Sequence, residues 1–367
     1  MLGNIENYAF LSQVNPFFVT FVRKSSSKKS SDSHIIILFM HKIYTIFIAI
    51  STAFLFIMCS AGNAQKPDST SSAEVSKVQQ FDADSAYLYV ARQLEFGPRV
   101  PGSDAQKACA EWLQNELARH GAKVYVQNAE AKAYDGTTLP IINIIGSYNP
   151  EAKTRVLLMS HWDCRPLSDA DPDKSKYHNP VDGANDGASG VGVLLELARQ
   201  AGLKNPKVGI DIFLCDAEDY GAPDEFKGEH KEEWWALGTQ AWCRKPHVDG
   251  YRATYGILLD MVGAKGATFY YEYYSKRYAS DILNSVWNIA QSLGYGKYFI
   301  PQDGAGITDD HVFVNRLTGI PTIDIIDTRE DGDGTFYPYW HTSGDTLDKI
   351  DPETLKAVGS VLMKLVY

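Results

Sequence analysis

The segment Arg155-Val156-Leu157-Leu158-Met159-Ser160-His161-Trp162-Asp163 is the most informative part of the sequence, because an apolar run typical of a buried strand ends abruptly in polar side chains that can bind a ligand or transfer a proton. Two later runs repeat this pattern: residues 210–215 are followed by Asp216-Ala217-Glu218-Asp219, and residues 257–259 are followed by Asp260. In an open α/β sheet, ligands bind beyond the carboxyl ends of the strands. We therefore expect these three strand ends to meet in one crevice, although they are far apart in the sequence.

Strand-like and helical segments alternate along the chain around these runs. The predicted strands cover residues 123–127, 141–145, 155–159, 208–215, 256–259, 268–273 and 321–326, and the predicted helices cover residues 106–120, 189–201, 237–243, 281–293 and 352–366. Asp351 and Pro352 supply the N-cap and the first residue of the last helix. The alternation predicts an α/β fold, a three-layer sandwich in which helices flank a mostly parallel (mixed) central sheet. We assign residues 82–367 to a single catalytic domain.

The N-terminal part of the sequence has the pattern of an export signal. Residues 43–58 form an uncharged apolar stretch that follows His41-Lys42, which is typical of a signal peptide. We assign residues 1–64 to an N-terminal extension and signal peptide, and residues 65–81 to a linker. Cys59 resembles a lipoprotein junction, whereas cleavage after Ala64 would leave no lipid anchor. Both alternatives predict an exported protein, either periplasmic or membrane-anchored, and whether residues 1–39 are translated stays open.

Composition and charge exclude several classes of protein. With 44% hydrophobic and 22% charged residues, the chain is typical of a globular protein. Its 35 Lys and Arg against 45 Asp and Glu give a net charge of −10, which argues against nucleic-acid partners. Apart from Cys59 there are four cysteines, Cys109, Cys164, Cys215 and Cys243, an even number that permits disulfides in an exported protein. We favour small buried side chains over disulfides, because a chain of this size does not need them.

Two further segments bring candidate ligands to the predicted crevice. A glycine-rich turn at residues 185–190 opens a helix, and Trp340-His341-Thr342 lies near the end of the chain. Carboxylates and His that converge without a nearby Lys or Arg predict a bound divalent cation, for which Zn²⁺ is well suited. Taken singly, each strand-ending Asp could instead be a turn or helix cap. The motifs of serine hydrolases, zinc helices, P-loops and dinucleotide-binding folds are absent from the sequence.

These residues also carry a family resemblance. The positions in question are, in order, His161-x-Asp163, Asn185-Asp186, Glu218-Asp219, Asp260 and His341. Their order resembles the zinc-dependent aminopeptidase (M28-like) superfamily over nearly all of residues 82–367, which implies the phosphorylase/hydrolase-like fold of the zinc exopeptidases. Within that superfamily, the chain looks more like the single-zinc glutaminyl-peptide cyclotransferases, in the form of a bacterial glutaminyl cyclase of the animal type. The features that favour the cyclotransferases are Thr308-Asp309-Asp310-His311, Gly319-Ile320-Pro321, and Phe336 ahead of Trp340-His341-Thr342.

The resemblance implies a role for each matching residue. The implied roles are zinc ligands at Asp186, Asp219 and His341, a proton shuttle at Glu218, a hydrogen-bonded acid pair of Asp260 and Asp309, and a pocket wall of Phe336, Trp340 and one of Trp234 and Trp235. The family usually has Glu where this chain has Asp219, so the ligand geometry there is open. The implied reaction converts the N-terminal Gln of peptides or proteins to pyroglutamate and releases ammonia, with one Zn²⁺ per chain.

Two alternatives remain. In a two-zinc M28-type aminopeptidase, His161 and Asp260 would also bind metal and Glu218 would activate a water. In a catalytically inert peptide-binding lipoprotein, the same fold would bind peptides without turnover. If the protein contacts a membrane, a lipid anchor at Cys59 would make that contact. The sequence does not determine the oligomeric state.

Overall fold

The computed structural model of the protein describes residues 80–329 and 336–367, which all belong to the unit Ser76–Tyr367. Its helices are α1 (Ala83–Leu94), α2 (Asp104–Arg119), α3 (Ala188–Leu203), α4 (Leu237–Arg244), α5 (Tyr273–Ser292), α6 (Asp310–Thr318) and α7 (Pro352–Val366). Its strands are β1 (Lys123–Lys132), β2 (Thr138–Tyr148), β3 (Arg155–His161), β4 (Gly209–Cys215), β5 (Tyr255–Asp260), β6 (Phe269–Tyr271), β7 (Phe299–Asp303) and β8 (Thr322–Ile326). Within these two ranges, no helix combines the length and the apolar character needed to cross a membrane.

A six-stranded mixed sheet forms the centre of the fold, with strand order β1-β2-β4-β3-β5-β8. The strands β4, β3, β5 and β8 are parallel, whereas β1 and β2 add antiparallel pairs at one edge. The pairing sets His161 opposite Cys215, and Asp260 opposite Ile326. The parallel register therefore brings the last residues of these strands to the same edge of the sheet.

Helices cover both faces of this sheet. Val156 and Leu158 of β3 belong to one apolar cluster, which includes residues of α3 and α7. Leu157 and Met159 belong to a second cluster, together with Trp242 of α4 and Val314 of α6. Because successive side chains of a strand point to opposite faces, these clusters lie on the two sides of the sheet. The predicted fold class, a mixed α/β three-layer sandwich, is confirmed.

The helices differ most clearly from the sequence-based prediction at α1 and α5. The prediction missed α1, although Asp82 is a recognisable N-cap whose side chain accepts hydrogen bonds from the backbone of Asp84 and Ser85. Helix α5 begins at Tyr273 rather than at residue 281, because Glu272 caps it and the helix continues through a kink at Ala279. In contrast, the predicted N-cap at Asp351 and Pro at the first position of α7 are present.

The N-terminal predictions lie mostly outside the described residues. The signal peptide, the Cys59 junction and residues 65–79 of the linker are among them. Phe81 is already part of the core: the residue is 7% exposed, and its ring packs against Gly359 of α7. In the part of the chain that the structure describes, all four cysteines are buried and free, as favoured from the sequence.

Candidate active site

The ends of β3, β4 and β5 meet beside a cavity of about 280 Å³. Asp260 is the last residue of β5, and Glu218 and Asp219 follow β4. Loops and a cap deliver the remaining groups: Asp186 lies just before α3, Asp309 caps α6, and His341 lies between β8 and α7. The described lining of the cavity contains seven acidic side chains, Asp169, Asp186, Glu218, Asp219, Asp224, Asp260 and Asp309.

Asp186 is shared by two clusters of potential metal ligands. In the first cluster, His341 Nε2 lies 2.9 Å from Asp219 Oδ1 and 3.8 Å from Asp186 Oδ2. In the second cluster, His161 Nε2 lies 3.1 Å from both Asp186 Oδ1 and Asp260 Oδ1. The two oxygens of Asp186 therefore face different histidines, so that one carboxylate connects both clusters.

The first cluster has the donors and the electrostatics of a cation site. The Oδ2 atom of Asp219 is buried and has no hydrogen-bond partner among the described residues. Burial raises the pKa of Asp219 to about 6, even though His341 favours its charged form. One imidazole and two carboxylates are ligands that Zn²⁺ accepts readily. Although Asp219 is one methylene shorter than Glu, its carboxylate reaches the imidazole of His341.

A buried carboxylate fixes the backbone next to these ligands. The N–H groups of Glu218 and Asp219 donate to Asp163 Oδ1 and Oδ2, at 3.1 and 3.2 Å. Ala217, one residue earlier, has φ +54°, a left-handed conformation that is unfavourable for a residue other than glycine. Burial, together with the charge of Asp309, raises the pKa of Glu218 well above its usual range. A raised pKa is what a group needs if it is to act first as a general base and then as a general acid.

A second buried carboxylate holds the turn that carries Asp186. Asp345 accepts hydrogen bonds from the N–H groups of Asn185, at 2.9 Å, and Asp186, at 3.0 Å. Gly187 follows with φ +97°, and a Cβ there would lie 2.5 Å from the carbonyl oxygen of Asp163. Only glycine fits this turn, which ties Asp186 to the segment that positions Glu218.

One expectation about charge is wrong: a buried cation does lie among the acids. Arg165 is 1% exposed, and its Nη1 lies 3.9 Å from Asp219 Oδ1. It donates to the carbonyl oxygens of Asp219 and Gly221, and it forms an ion pair with Asp169 at 2.6 Å. Asp169 in turn lies 3.4 Å from His341 Nδ1, on the ring edge opposite the ligand cluster. Arg165 neutralises part of the charge and orients His341 through Asp169.

Asp260 and Asp309 line the same cavity, but the hydrogen bond expected between them is not formed. The Asp260 carboxylate interacts with His161, while Asp309 accepts from the Asp310 N–H at 2.5 Å. Burial raises the pKa of both acids, and for Asp309 the charge of Asp260 adds to the effect. The two groups are therefore coupled by charge and not by direct contact.

The sequence profile of Peptidase family M28 matches residues 143–366, which include the three strand ends and His341. The chain belongs to peptidase family M28. Among solved structures, it is similar to a Bacteroides thetaiotaomicron glutaminyl cyclase bound to N-acetylhistamine, with 54% identity, a TM-score of 0.78, and coverage of 79% of this chain and 99% of that one. It is also similar to a Zn-dependent exopeptidase from Parabacteroides distasonis, with 56% identity, a TM-score of 0.77, and coverage of 79% and 99%. A bovine glutaminyl-peptide cyclotransferase is 27% identical over 61% of this chain and 65% of its own length.

Aromatic rings form one wall of the cavity in this M28 protein. Trp340 stacks on His341 with a centroid distance of 3.6 Å, and Phe336 lies 4.9 Å from Trp340. Trp235 faces His341 at 6.3 Å and lies under the Arg165 guanidinium. Of the two candidate tryptophans, only Trp235 lines the cavity.

Trp234 belongs to a different contact. Its ring lies 5.6 Å from Phe226 and 6.2 Å from Tyr134, outside the described lining of the cavity. The adjacent positions diverge because Trp235 leaves the preceding short 3₁₀ turn in an extended conformation. We therefore remove Trp234 from the candidate substrate-binding residues.

A buried cluster beneath Asp309 was not predicted from the sequence. His311 Nε2 lies 3.0 Å from Glu272 Oε2, and His311 Nδ1 lies 3.7 Å from Asp324 Oδ2. Burial and the charge of Asp309 raise the pKa of Asp324 well above its ordinary value. The signal in the sequence was Asp324 itself, a lone acid within the apolar strand β8.

Proposed function

We propose that this M28 protein is a zinc-dependent glutaminyl-peptide cyclotransferase, an acyltransferase that converts N-terminal Gln to pyroglutamate with release of ammonia. The observation that carries this proposal is Glu218, a buried acid with a raised pKa at the edge of the Asp186, Asp219 and His341 cluster. The similarity to glutaminyl cyclases over nearly their whole length supports it further.

The reaction requires polarisation of one carbonyl and transfer of one proton. The α-amine attacks the side-chain amide carbon of the same residue, a C–N bond forms, and the amide nitrogen leaves as ammonia. A Zn²⁺ ion held by Asp186, Asp219 and His341 would supply Lewis-acid polarisation of the amide carbonyl. Glu218 would take the proton from the attacking amine and give it to the departing nitrogen.

Asp260 and Asp309 would orient the attacking amine. The amine must be neutral to attack, and a carboxylate can accept hydrogen bonds from its N–H groups. Because burial and mutual repulsion favour protonation of one of the two acids over two full charges, this pair can accept such a bond without trapping the amine as an ammonium ion. Holding the Gln in its folded conformer contributes a further large part of the rate.

The aromatic wall would protect cyclisation from hydrolysis. Trp235, Trp340 and Phe336 restrict the space around His341. Water reaching the polarised amide carbon would produce Glu instead of pyroglutamate, so an apolar wall favours the intramolecular nucleophile.

One observation favours a second candidate, the two-zinc aminopeptidase. The cluster of His161, Asp186 and Asp260 offers a second set of ligands, and one similar protein is a Zn-dependent exopeptidase. In that enzyme Glu218 would activate a water instead of an amine. For the cyclotransferase we propose one zinc per chain, with His161 acting as a hydrogen-bonding support for Asp186 and Asp260.

We also propose that the protein is exported. The support is the apolar stretch at residues 43–58, followed by Cys59 and the small residues up to Ala64. Metabolic labelling with a fatty acid would distinguish a lipid-anchored protein, whose label depends on Cys59, from a periplasmic one.

Two peptides test the catalytic proposal. Purified protein is incubated with Gln-Leu-Ala and with Leu-Leu-Ala, and ammonia and free amino acids are measured together. The cyclotransferase predicts ammonia from the first peptide and no cleavage of the second. Free Leu from the second peptide without ammonia from the first would establish the aminopeptidase, and no turnover of either would favour the inert binding protein.

A further inference from the structure

One short segment near the start of the described chain contacts the turns that carry two of the three candidate ligands in the first cluster. It covers residues 99–106, in which Arg99 and Gln106 are completely buried. Arg99 contacts Gly183, 84 residues further along the chain, and Gln106 contacts Asp216, 110 residues further along. Neither Arg99 nor Gln106 is among the described residues that line the catalytic cavity. The segment therefore reaches both turns from behind the cavity wall.

Arg99 joins the end of β3 to the turn before Asp186. Its Nε donates to the carbonyl oxygen of Trp162 at 3.3 Å, and its two Nη atoms donate to the carbonyl oxygens of Asp182 and, at 2.8 Å, Gly183. A guanidinium holds its five N–H donors in one rigid plane. Three carbonyl oxygens bound to it are therefore held at a fixed spacing, which sets the distance between the end of β3 and the Asp186 turn.

The Asp186 turn is closed around the Arg99 side chain. Gly183 has φ +64°, and a Cβ there would lie 2.6 Å from the carbonyl oxygen of Asp186 and 3.1 Å from Arg99 Nη2. From the other side, Asp345 accepts the N–H groups of Asn185 and Asp186. Because carbonyl and N–H groups of one turn are both bound, its backbone cannot shift without breaking buried hydrogen bonds, which is costly.

Gln106 supports the second turn through Asp216, the first residue after β4. Its Nε2 donates to Asp216 Oδ2 at 2.6 Å, and Asp216 Oδ1 accepts the N–H of Ala217 at 2.9 Å. Ala217, with its left-handed φ of +54°, directly precedes Glu218 and Asp219. A conformation of this kind persists only where the surrounding structure holds it. Gln106 fixes the carboxylate that does so.

We propose that Arg99 and Gln106 are positioning residues of the metal site, which hold two ligand turns at the spacing that a zinc ion needs. The proposal rests on the zinc site proposed above. Ligands that lie beyond the strand ends depend on such contacts, because no strand pairing fixes their backbone. Both residues precede residues 143–366, so the part of the chain that the M28 profile matches does not include them.

Two variants of the full chain test the proposal. Arg99→Lys keeps the charge but loses the planar fork that binds three carbonyl oxygens, and Gln106→Met keeps the length of the side chain but cannot donate a hydrogen bond. Each variant should bind zinc about 10- to 100-fold more weakly, the usual cost of removing a residue that supports a metal ligand. Competition with a chromophoric chelator measures the zinc affinity, on protein that circular dichroism shows to be folded.

Matched controls separate this role from a general effect on stability. Arg155, which binds Asp211, is the first residue of β3 and lies about 20 Å from the other end of that strand. Gln200 Nε2 donates to Glu196 Oε1 at 2.6 Å, the same distance as in the Gln106 contact, about 18 Å along α3 from its first residue. Arg155→Lys and Gln200→Met should change the zinc affinity less than twofold, even where they lower the free energy of unfolding as much.

Zinc affinities within twofold of wild type in the folded Arg99→Lys and Gln106→Met variants would overturn the proposal. An equal loss of affinity in the two controls would overturn it as well. If one of the two variants does not fold, the other decides the outcome. The zinc content of wild type is measured first, because a wild-type protein that binds no zinc would contradict the proposed metal site itself.

Discussion

His161 and Asp186 are in direct contact beneath the catalytic cavity, with His161 Nε2 3.1 Å from Asp186 Oδ1. The other oxygen of Asp186 faces His341. This contact gives His161 two possible roles, as a ligand of a second metal or as a support that orients a ligand of the first. The same residues would serve different reactions in the two cases, so the role of His161 is the most informative difference between the candidate functions.

His161→Gln tests that role. We expect the variant to retain one zinc per chain and to lose about 10- to 100-fold in activity, the usual cost of removing a residue that orients a metal ligand. His341→Gln is the matched control and should lose its zinc. Elemental analysis of both purified variants decides the matter: a fall from two zincs to one in His161→Gln would support the aminopeptidase.

Glu218→Gln tests proton transfer. The amide keeps the size of the side chain but cannot accept and release a proton, so kcat should fall by about 10²- to 10⁴-fold. Zinc content and the thermal unfolding midpoint should stay at the wild-type values. Asp224→Asn, an exposed acid in the same cavity, serves as a control and should retain activity. Wild-type turnover by Glu218→Gln would remove this residue from the mechanism.

Asp163→Asn tests how the Glu218 backbone is held. The wild-type carboxylate accepts two N–H groups, whereas an amide offers one acceptor and places its NH₂ against the other N–H. We expect a loss of about 1–3 kcal/mol in the free energy of unfolding and weaker zinc binding. Denaturant unfolding and a zinc competition titration measure the two effects. A variant with unchanged zinc affinity and stability would show that Asp163 is not required.

Glu116, which lies far from the active site, tests how the stability of the fold depends on pH. Burial alone would raise the pKa of Glu116, but hydrogen bonds with His120, Arg119 and Tyr89 outweigh it and lower that pKa to about 2, from 4.5. Because the pKa is lower in the folded state, this interaction stabilises the protein above about pH 4.5 and is lost as the pH falls towards 2.

We therefore expect Glu116→Gln to be about 1–3 kcal/mol less stable than wild type at pH 7. Solvent screens the charge of the exposed Arg119, which lowers the upper end of this range. The difference should shrink as the pH is lowered from 4.5 to 3. Urea unfolding of both proteins across this range measures it. A difference that is constant with pH would show that the charge of Glu116 does not contribute.

The sequence predicted the parts of the site that depend on local pattern. Apolar runs that end in His161 and Asp260, or that come shortly before Glu218, locate the carboxyl edge of a parallel sheet, and the fold brings these residues together by its register. Asp186 could also be predicted from the sequence, because a glycine-rich turn before a helix is a local signal.

The supporting contacts could not be predicted, because they join segments far apart in the chain. Arg165 reaches Asp219 across 54 residues, and Asp345 holds the Asn185 turn across 160. Neither residue has a local motif, and only the folded structure shows that each is buried next to a ligand. The same limit explains Trp234 and Trp235, since the direction of two adjacent rings depends on how their loop packs.

A crystal structure of the active protein, with diffraction measured on both sides of the zinc absorption edge, would show how many zinc ions the active site binds and where. We expect one anomalous peak per chain, about 2.0–2.2 Å from ligand atoms of Asp186, Asp219 and His341. A second peak between His161, Asp186 and Asp260, or no zinc peak in protein that turns over Gln peptides, would contradict this expectation.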